Sequence, residues 1–170
     1  MLRFVHCPKT GGVALRNALA PLGPFACDGH MTRLSTVQPD DWPIITITRD
    51  PLPRFVSAFW WLATKTFPWP WRTPDAMVER MGTPLVDKAF KRYMVLWPQT
   101  HWLDCDTPLD WVGHTETLGE DVKRLEELLS ATITLTPRNV GRYPHVPLSS
   151  ASEDRLRELY AADYTYLEDT

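Results

Sequence analysis

The stretch Leu2-Arg3-Phe4-Val5-His6-Cys7-Pro8-Lys9-Thr10-Gly11-Gly12-Val13 decides the fold. Leu2 to His6 is a short apolar run. Beyond the two glycines, apolar side chains recur with helical spacing at Val13, Leu15, Leu19 and Leu22. The order is strand, turn, helix. Glycines in such a turn let backbone N–H groups close on an anion, and the new helix N-terminus adds partial positive charge. Lys9 brings a full charge to the same place, and Thr10 a hydroxyl. Phosphate recognition is the chemistry implied.

The same grammar recurs downstream. Pro43 to Thr48 (Pro-Ile-Ile-Thr-Ile-Thr) is short and rich in β-branched residues, as a buried strand should be. It runs into Arg49-Asp50-Pro51, where Asp50 suits a helix N-cap and Pro51 the first helical position. Leu52 to Lys65 then places Phe55, Phe59 and Leu62 on one helical face. Further along, Phe67 to Pro74 holds too many prolines for a helix or a central strand. Leu85 to Leu96 reads as helix, Leu109 to Val112 as strand, and Ile133 to Leu135 as a short strand. Capping-box pairs, Thr117 with Glu120 and Ser150 with Glu153, open helices through Leu129 and about Ala161. Strands alternating with helices predict an α/β fold, a mainly parallel central sheet flanked by helices, in one domain spanning residues 1–170.

Composition bounds the function. The chain has 170 residues, 44% of them hydrophobic and 23% charged, in the range of an ordinary globular domain. A net charge of −3 argues against broad electrostatic binding of nucleic acid. The three cysteines, Cys7, Cys27 and Cys105, have no paired spacing, and no Cys/His metal pattern appears. We expect buried free thiols, no metal, no membrane span and a cytoplasmic location, since no charged segment with a long apolar run precedes the first motif.

The order of residues in the first turn narrows the ligand. An ATP-binding loop reads GxxxxGK[ST], with lysine after the last glycine and a hydroxyl for magnesium. Here Lys9 precedes Gly11 and Gly12, and Val13 follows them. The second turn adds Arg49 at a strand end and Ser57 two helical turns later. A guanidinium fork grips phosphate oxygens in pairs, and a serine hydroxyl completes the shell.

Taken together, Pro-Lys-Thr-Gly-Gly at 8–12 and Arg-Asp-Pro-Leu-Pro-Arg-Phe-Val-Ser at 49–57 resemble the nucleotide motifs of sulfotransferases that use 3′-phosphoadenosine 5′-phosphosulfate (PAPS). The carbohydrate, 2-O-type branch is the nearest. That resemblance implies a P-loop-like three-layer fold with PAPS as donor and 3′-phosphoadenosine 5′-phosphate (PAP) as product. It implies that Pro8, Lys9, Thr10, Gly11, Gly12 and Val13 surround the 5′-phosphosulfate and that Arg49 and Ser57 hold the 3′-phosphate. Val13 stands where the family commonly has a hydroxyl. The segment 110–118 (Asp-Trp-Val-Gly-His-Thr-Glu-Thr-Leu) is similar to a further family motif, with His114 in place of its arginine. Asn139 to Pro144 resembles a loop that closes over the nucleotide, which gives Gly141 and Arg142 to the cofactor.

Sulfuryl transfer needs an in-line nucleophile, a base for its proton and positive charge at the departing phosphate. Lys9 is the candidate for that charge. Histidine suits the base because its ordinary pKa, about 6.5, lies near working pH. His30, in Cys27-Asp28-Gly29-His30-Met31, resembles the catalytic histidine of the 2-O branch and ranks above His101 and His114, with His6 and His145 lower. Trp60 and Trp61 read as core. Trp69 and Trp71 either pack on the domain or stack on an acceptor, a hydroxyl compound with carbohydrates among the candidates. Two other readings stay open: a P-loop-type nucleotide kinase or hydrolase, and a non-catalytic nucleotide-binding domain.

Overall fold

The computed structural model describes residues 2–23, 25–26, 32–37, 42–66, 68–104, 106–136 and 146–170. In chain order the elements are β1 (Leu2–Val5), α1 (Gly12–Leu19), β2 (Phe25–Ala26), β3 (Ile44–Thr48), α2 (Pro51–Lys65), α3 (Pro74–Val78), α4 (Pro84–Arg92), β4 (Trp111–His114), α5 (Leu118–Leu129), α6 (Ser150–Leu159) and α7 (Ala161–Glu168). They gather into two compact units. One holds Met1–Arg49, Gln99–Val140 and Thr170, the other Asp50–Pro98 and Gly141–Asp169. Each has its own apolar core.

The first unit is built on a parallel sheet of order β2-β1-β3-β4. Register carries one row of large side chains across it. Phe4 faces Ile45, and Ile45 faces Trp111. Leu15 and Leu19 of α1, one helical turn apart, close over that face with Val122 and Leu125 of α5. Burying each such aliphatic side chain contributes about 1.5–3 kcal/mol. The other face carries Val5, Ile44, Thr46 and Thr48, all buried. Its two threonine hydroxyls donate to strand carbonyls, Thr46 to Val5 at 2.9 Å and Thr48 to Gly113 at 3.2 Å. The α/β fold with a parallel sheet and packed helices is thus present, and every strand pair among the described residues is parallel.

Three details of this unit depart from the sequence reading. The first helix ends at Leu19 and a 3-10 turn follows over Ala20–Leu22, because Pro21 cannot continue the α-helical ladder. Residues 133–135 form no strand. Ile133 is buried in the core, but its N–H donates to the Glu126 carboxylate at 2.7 Å rather than to a neighbouring strand. Thr117 does stand at the N-cap of α5, yet its hydroxyl goes to Asp121 at 2.8 Å instead of capping the helix.

The second unit is helical. Asp50 caps α2 by accepting from the Leu52 N–H at 2.9 Å, and Pro51 is the first helical residue, both as expected. Phe55, Phe59 and Leu62 form the buried stripe, joined by Met77, Val78, Val86, Ala89, Leu96, Leu156 and Tyr160. Trp71 lies in this core, and Trp69 packs edge-on against Trp71, Phe59 and Tyr93. Trp60 packs against the core, but Trp61 is 39% exposed, since it lies round the helix from the stripe. Arg54 is fully buried and donates to the Val95 carbonyl at 3.5 Å. The helix expected through Leu96 stops at Arg92, with a 3-10 turn over Met94–Leu96. Ser149, one residue before the expected cap, accepts from the Ser152 N–H at 3.3 Å.

Candidate functional site

Anion-binding sites of open parallel sheets lie outside the carboxyl ends of the strands. In the first unit three segments meet there: residues 6–12 after β1, Arg49 after β3, and residues 115–116 after β4.

The first segment is a strained turn. Lys9 has φ +69° and Gly11 φ +79°, so two left-handed residues flank Thr10. For a lysine this conformation costs on the order of 1 kcal/mol, and such alternation turns successive N–H groups to one side. Three hydrogen bonds hold the carbonyls of the turn. The Thr10 hydroxyl donates to the Cys7 carbonyl at 2.8 Å. Arg49 Nη1 donates to the Lys9 carbonyl at 3.3 Å. The Thr115 hydroxyl lies 2.7 Å from the Thr10 carbonyl and 2.8 Å from that of Thr48. Helix α1 then starts with Gly11 as N-cap, with no side-chain cap and no acidic residue in its first turn. Gly12 is fixed by packing, because a Cβ there would stand 2.2 Å from the buried His6 ring.

Arg49 enters from β3, and its own backbone is held by the carboxamide of Gln99. The Arg49 N–H donates to Gln99 Oε1 at 2.9 Å, and Gln99 Nε2 donates to the Arg49 carbonyl at 2.7 Å. Glu116 Oε1 lies 3.9 Å from Arg49 Nε. Lys9 is held below its ordinary pKa, first by burial and then by the positive charge of Arg49. Two cations forced together in partial burial favour an anion between or beside them.

Behind β4, Asp121 organises the strand end. Its carboxylate accepts from the His114 N–H at 2.8 Å, from the Thr117 hydroxyl at 2.8 Å and from Arg124 at 2.7 Å. Burial alone would raise its pKa, but these donors outweigh burial and lower it. His114 Nδ1 is 3.4 Å from the same carboxylate, which ties the ring to the scaffold. His101 is also engaged: its Nε2 accepts from Arg33 at 2.7 Å. Burial and then the Arg33 charge hold it below the usual histidine pKa, against the pull of Asp104. His6 is buried and stacked on Phe4, ring centroids 5.3 Å apart.

The structure therefore brings Pro8 to Val13 and Arg49 into one cluster. Ser57 stands half-buried on α2 in the second unit. His30, Gly141 and Arg142, with His145, Cys27 and Cys105, lie outside the described residues. Cys7 carries a buried thiol, with Sγ 4.0 Å from the Gln99 carbonyl. The Thr10 hydroxyl, expected to face an anion, is buried and donates inward. Gln99 and Thr115 were not legible as site residues. Thr115 sits in a segment with a motif, but Gln99 follows Pro98 in a stretch with no motif at all. Among the described residues no His/Cys/Asp/Glu group can hold a metal ion, and no helix is long and apolar enough to cross a membrane. Comparison with protein families, curated proteins and solved structures finds no match for this chain.

Proposed function

We propose that the chain is a PAPS-dependent sulfotransferase that moves a sulfuryl group to an acceptor hydroxyl. The observation that carries it is the contact of Arg49 Nη1 with the Lys9 carbonyl, 3.3 Å, at the ends of adjacent parallel strands. It joins the two segments whose sequences resemble the family's 5′- and 3′-phosphate motifs. The residues present suit a polyanion: a partly buried lysine beside an arginine, and a helix N-terminus free of acidic residues. The parallel sheet agrees with the P-loop-like three-layer architecture that this reading implies.

PAPS supplies the activated sulfuryl group. In this reading the backbone N–H groups of residues 10–13 orient the phosphosulfate. The Lys9 ammonium donates a hydrogen bond to the bridging oxygen, where charge grows as the sulfur–oxygen bond breaks. Arg49 holds the 3′-phosphate. The acceptor oxygen forms the new bond to sulfur, and His30 takes the acceptor's proton. Of the other histidines, His6, His101 and His114 are engaged in packing or hydrogen bonds. A cytoplasmic setting and a carbohydrate acceptor belong to the same proposal.

A screen of hydroxyl acceptors with sulfur-labelled PAPS tests it. Label transfer that is lost in Lys9→Met and in His30→Ala, with PAP binding kept in His30→Ala, is the expected result. PAP binding by the wild type without transfer to any acceptor would favour a binding domain over an enzyme.

A further inference from the structure

Arg49 is the first residue past β3, and the sheet no longer serves it. β3 ends at Thr48, whose ladder partner is His114. The Thr115 N–H and hydroxyl both reach the Thr48 carbonyl, at 2.9 and 2.8 Å. One residue further, the Arg49 N–H and C=O need partners from elsewhere, because buried backbone groups left unpaired are costly. Gln99 supplies both with a single planar carboxamide, at 2.9 and 2.7 Å. The pairing also fixes the amide's orientation, since a flipped group would set oxygen against oxygen and donor against donor.

Gln99 is itself anchored. Only 1% of it is exposed. Its carbonyl accepts from the Trp102 N–H at 2.8 Å and the Leu103 N–H at 3.3 Å, and Cys7 Sγ lies 4.0 Å from it. Trp102 is fully buried. Gln99 thus extends the sheet rigidly, its main-chain carbonyl beside Cys7 of the turn that carries Lys9 and its carboxamide joined to the residue that carries the guanidinium.

We infer that Gln99 is a positioning residue for anion binding: its two hydrogen bonds fix the Arg49 backbone so that the guanidinium meets the Lys9 carbonyl. Gln99 acts only through Arg49. The inference rests on the reading of Arg49 as a phosphate ligand.

A double-mutant cycle on the whole chain tests it, with PAP binding measured by calorimetry for wild type, Gln99→Met, Arg49→Ala and the double variant. Methionine keeps the volume and removes both hydrogen bonds. The expected result is about a tenfold loss of affinity for Gln99→Met when Arg49 is present, and less than about twofold in the Arg49→Ala background, the mark of coupled residues. Equal losses in both backgrounds, or wild-type affinity in Gln99→Met, would overturn it. Thermal unfolding of each variant shows that it is folded; should Gln99→Met fail to fold, Gln99→Glu, which keeps the acceptor for the Arg49 N–H, carries the same cycle. Inorganic pyrophosphate as a second probe separates the claims. Pyrophosphate binding without PAP binding overturns the sulfotransferase reading, while the same cycle read with pyrophosphate still decides on Gln99; no binding of either overturns both.

Discussion

The ring of His6 occupies the space that any side chain on Gly12 would need: a Cβ added there stands 2.2 Å from His6 Cδ2 and 2.3 Å from Nε2. The ring has little room to yield, being 2% exposed and stacked on Phe4. Gly12 is therefore required by the packing under the turn, and Gly11, at φ +79°, by the turn itself. Gly12→Ala is expected to cost about 1–3 kcal/mol through overpacking. Urea unfolding checks this, and the His6→Ala/Gly12→Ala pair should lose less than the sum of the single variants.

Thr115 ties β4 to the turn after β1 through one hydroxyl near two carbonyls. Thr115→Val keeps the shape and removes the hydroxyl, leaving the Thr48 carbonyl only the Thr115 N–H at 2.9 Å. Stability should fall by about 1 kcal/mol, in line with the loss of one net hydrogen bond. PAP affinity should fall as well, because the Thr10 carbonyl is released and the turn loosens. Unchanged affinity in a folded Thr115→Val variant would remove Thr115 from the site.

Asp121 gathers donors from His114, Thr117 and Arg124, and its pKa is lowered despite burial. A depressed carboxylate stabilises the fold at pH above its unfolded value, about 3.9, and loses that contribution as pH falls through the lower folded value. Asp121→Asn should therefore cost about 1–3 kcal/mol near neutral pH. The gap to wild type should narrow below about pH 4 and close in stronger acid. The Arg124 side chain is 65% exposed, so its ion pair contributes little of this. Unfolding curves at several pH values give the comparison.

Lys9 is held below its ordinary pKa by burial and then by Arg49. A bound anion favours the charged amine and raises that pKa again. Between the two values the complex holds more protons than the free protein, so affinity falls as pH rises. PAP titrations at alkaline pH should show proton uptake and weakening affinity below the range where an ordinary lysine titrates. Lys9→Met should bind more weakly and show neither effect; a wild-type affinity flat with pH would contradict the role given to Lys9.

The legible parts of the fold were those set by local pattern. β-branched runs gave β3, and the spacing of Phe55, Phe59 and Leu62 with Asp50-Pro51 gave α2 almost to the residue. The glycine turn gave the start of α1. The misreadings came where a partner distant in sequence decided the outcome. Ile133 looks like a strand residue, but Glu126 takes its N–H. Trp61 looks like core, but the helix turns it outward. Lys9 and Arg49, proposed here as anion ligands, were legible as candidates because their residue types suggest that chemistry. Gln99 was not, because a glutamine 50 residues from its partner has no local signature. The Thr10 hydroxyl shows the converse, a residue chosen by type whose side chain serves the turn.

The most direct test is calorimetry of PAP against ADP, each with and without magnesium. The Lys9–Arg49 site, read as a 5′- and 3′-phosphate site, predicts PAP binding that needs no magnesium and exceeds ADP binding by at least about tenfold, the worth of one charge-assisted phosphate contact. A preference for ADP with magnesium would contradict it.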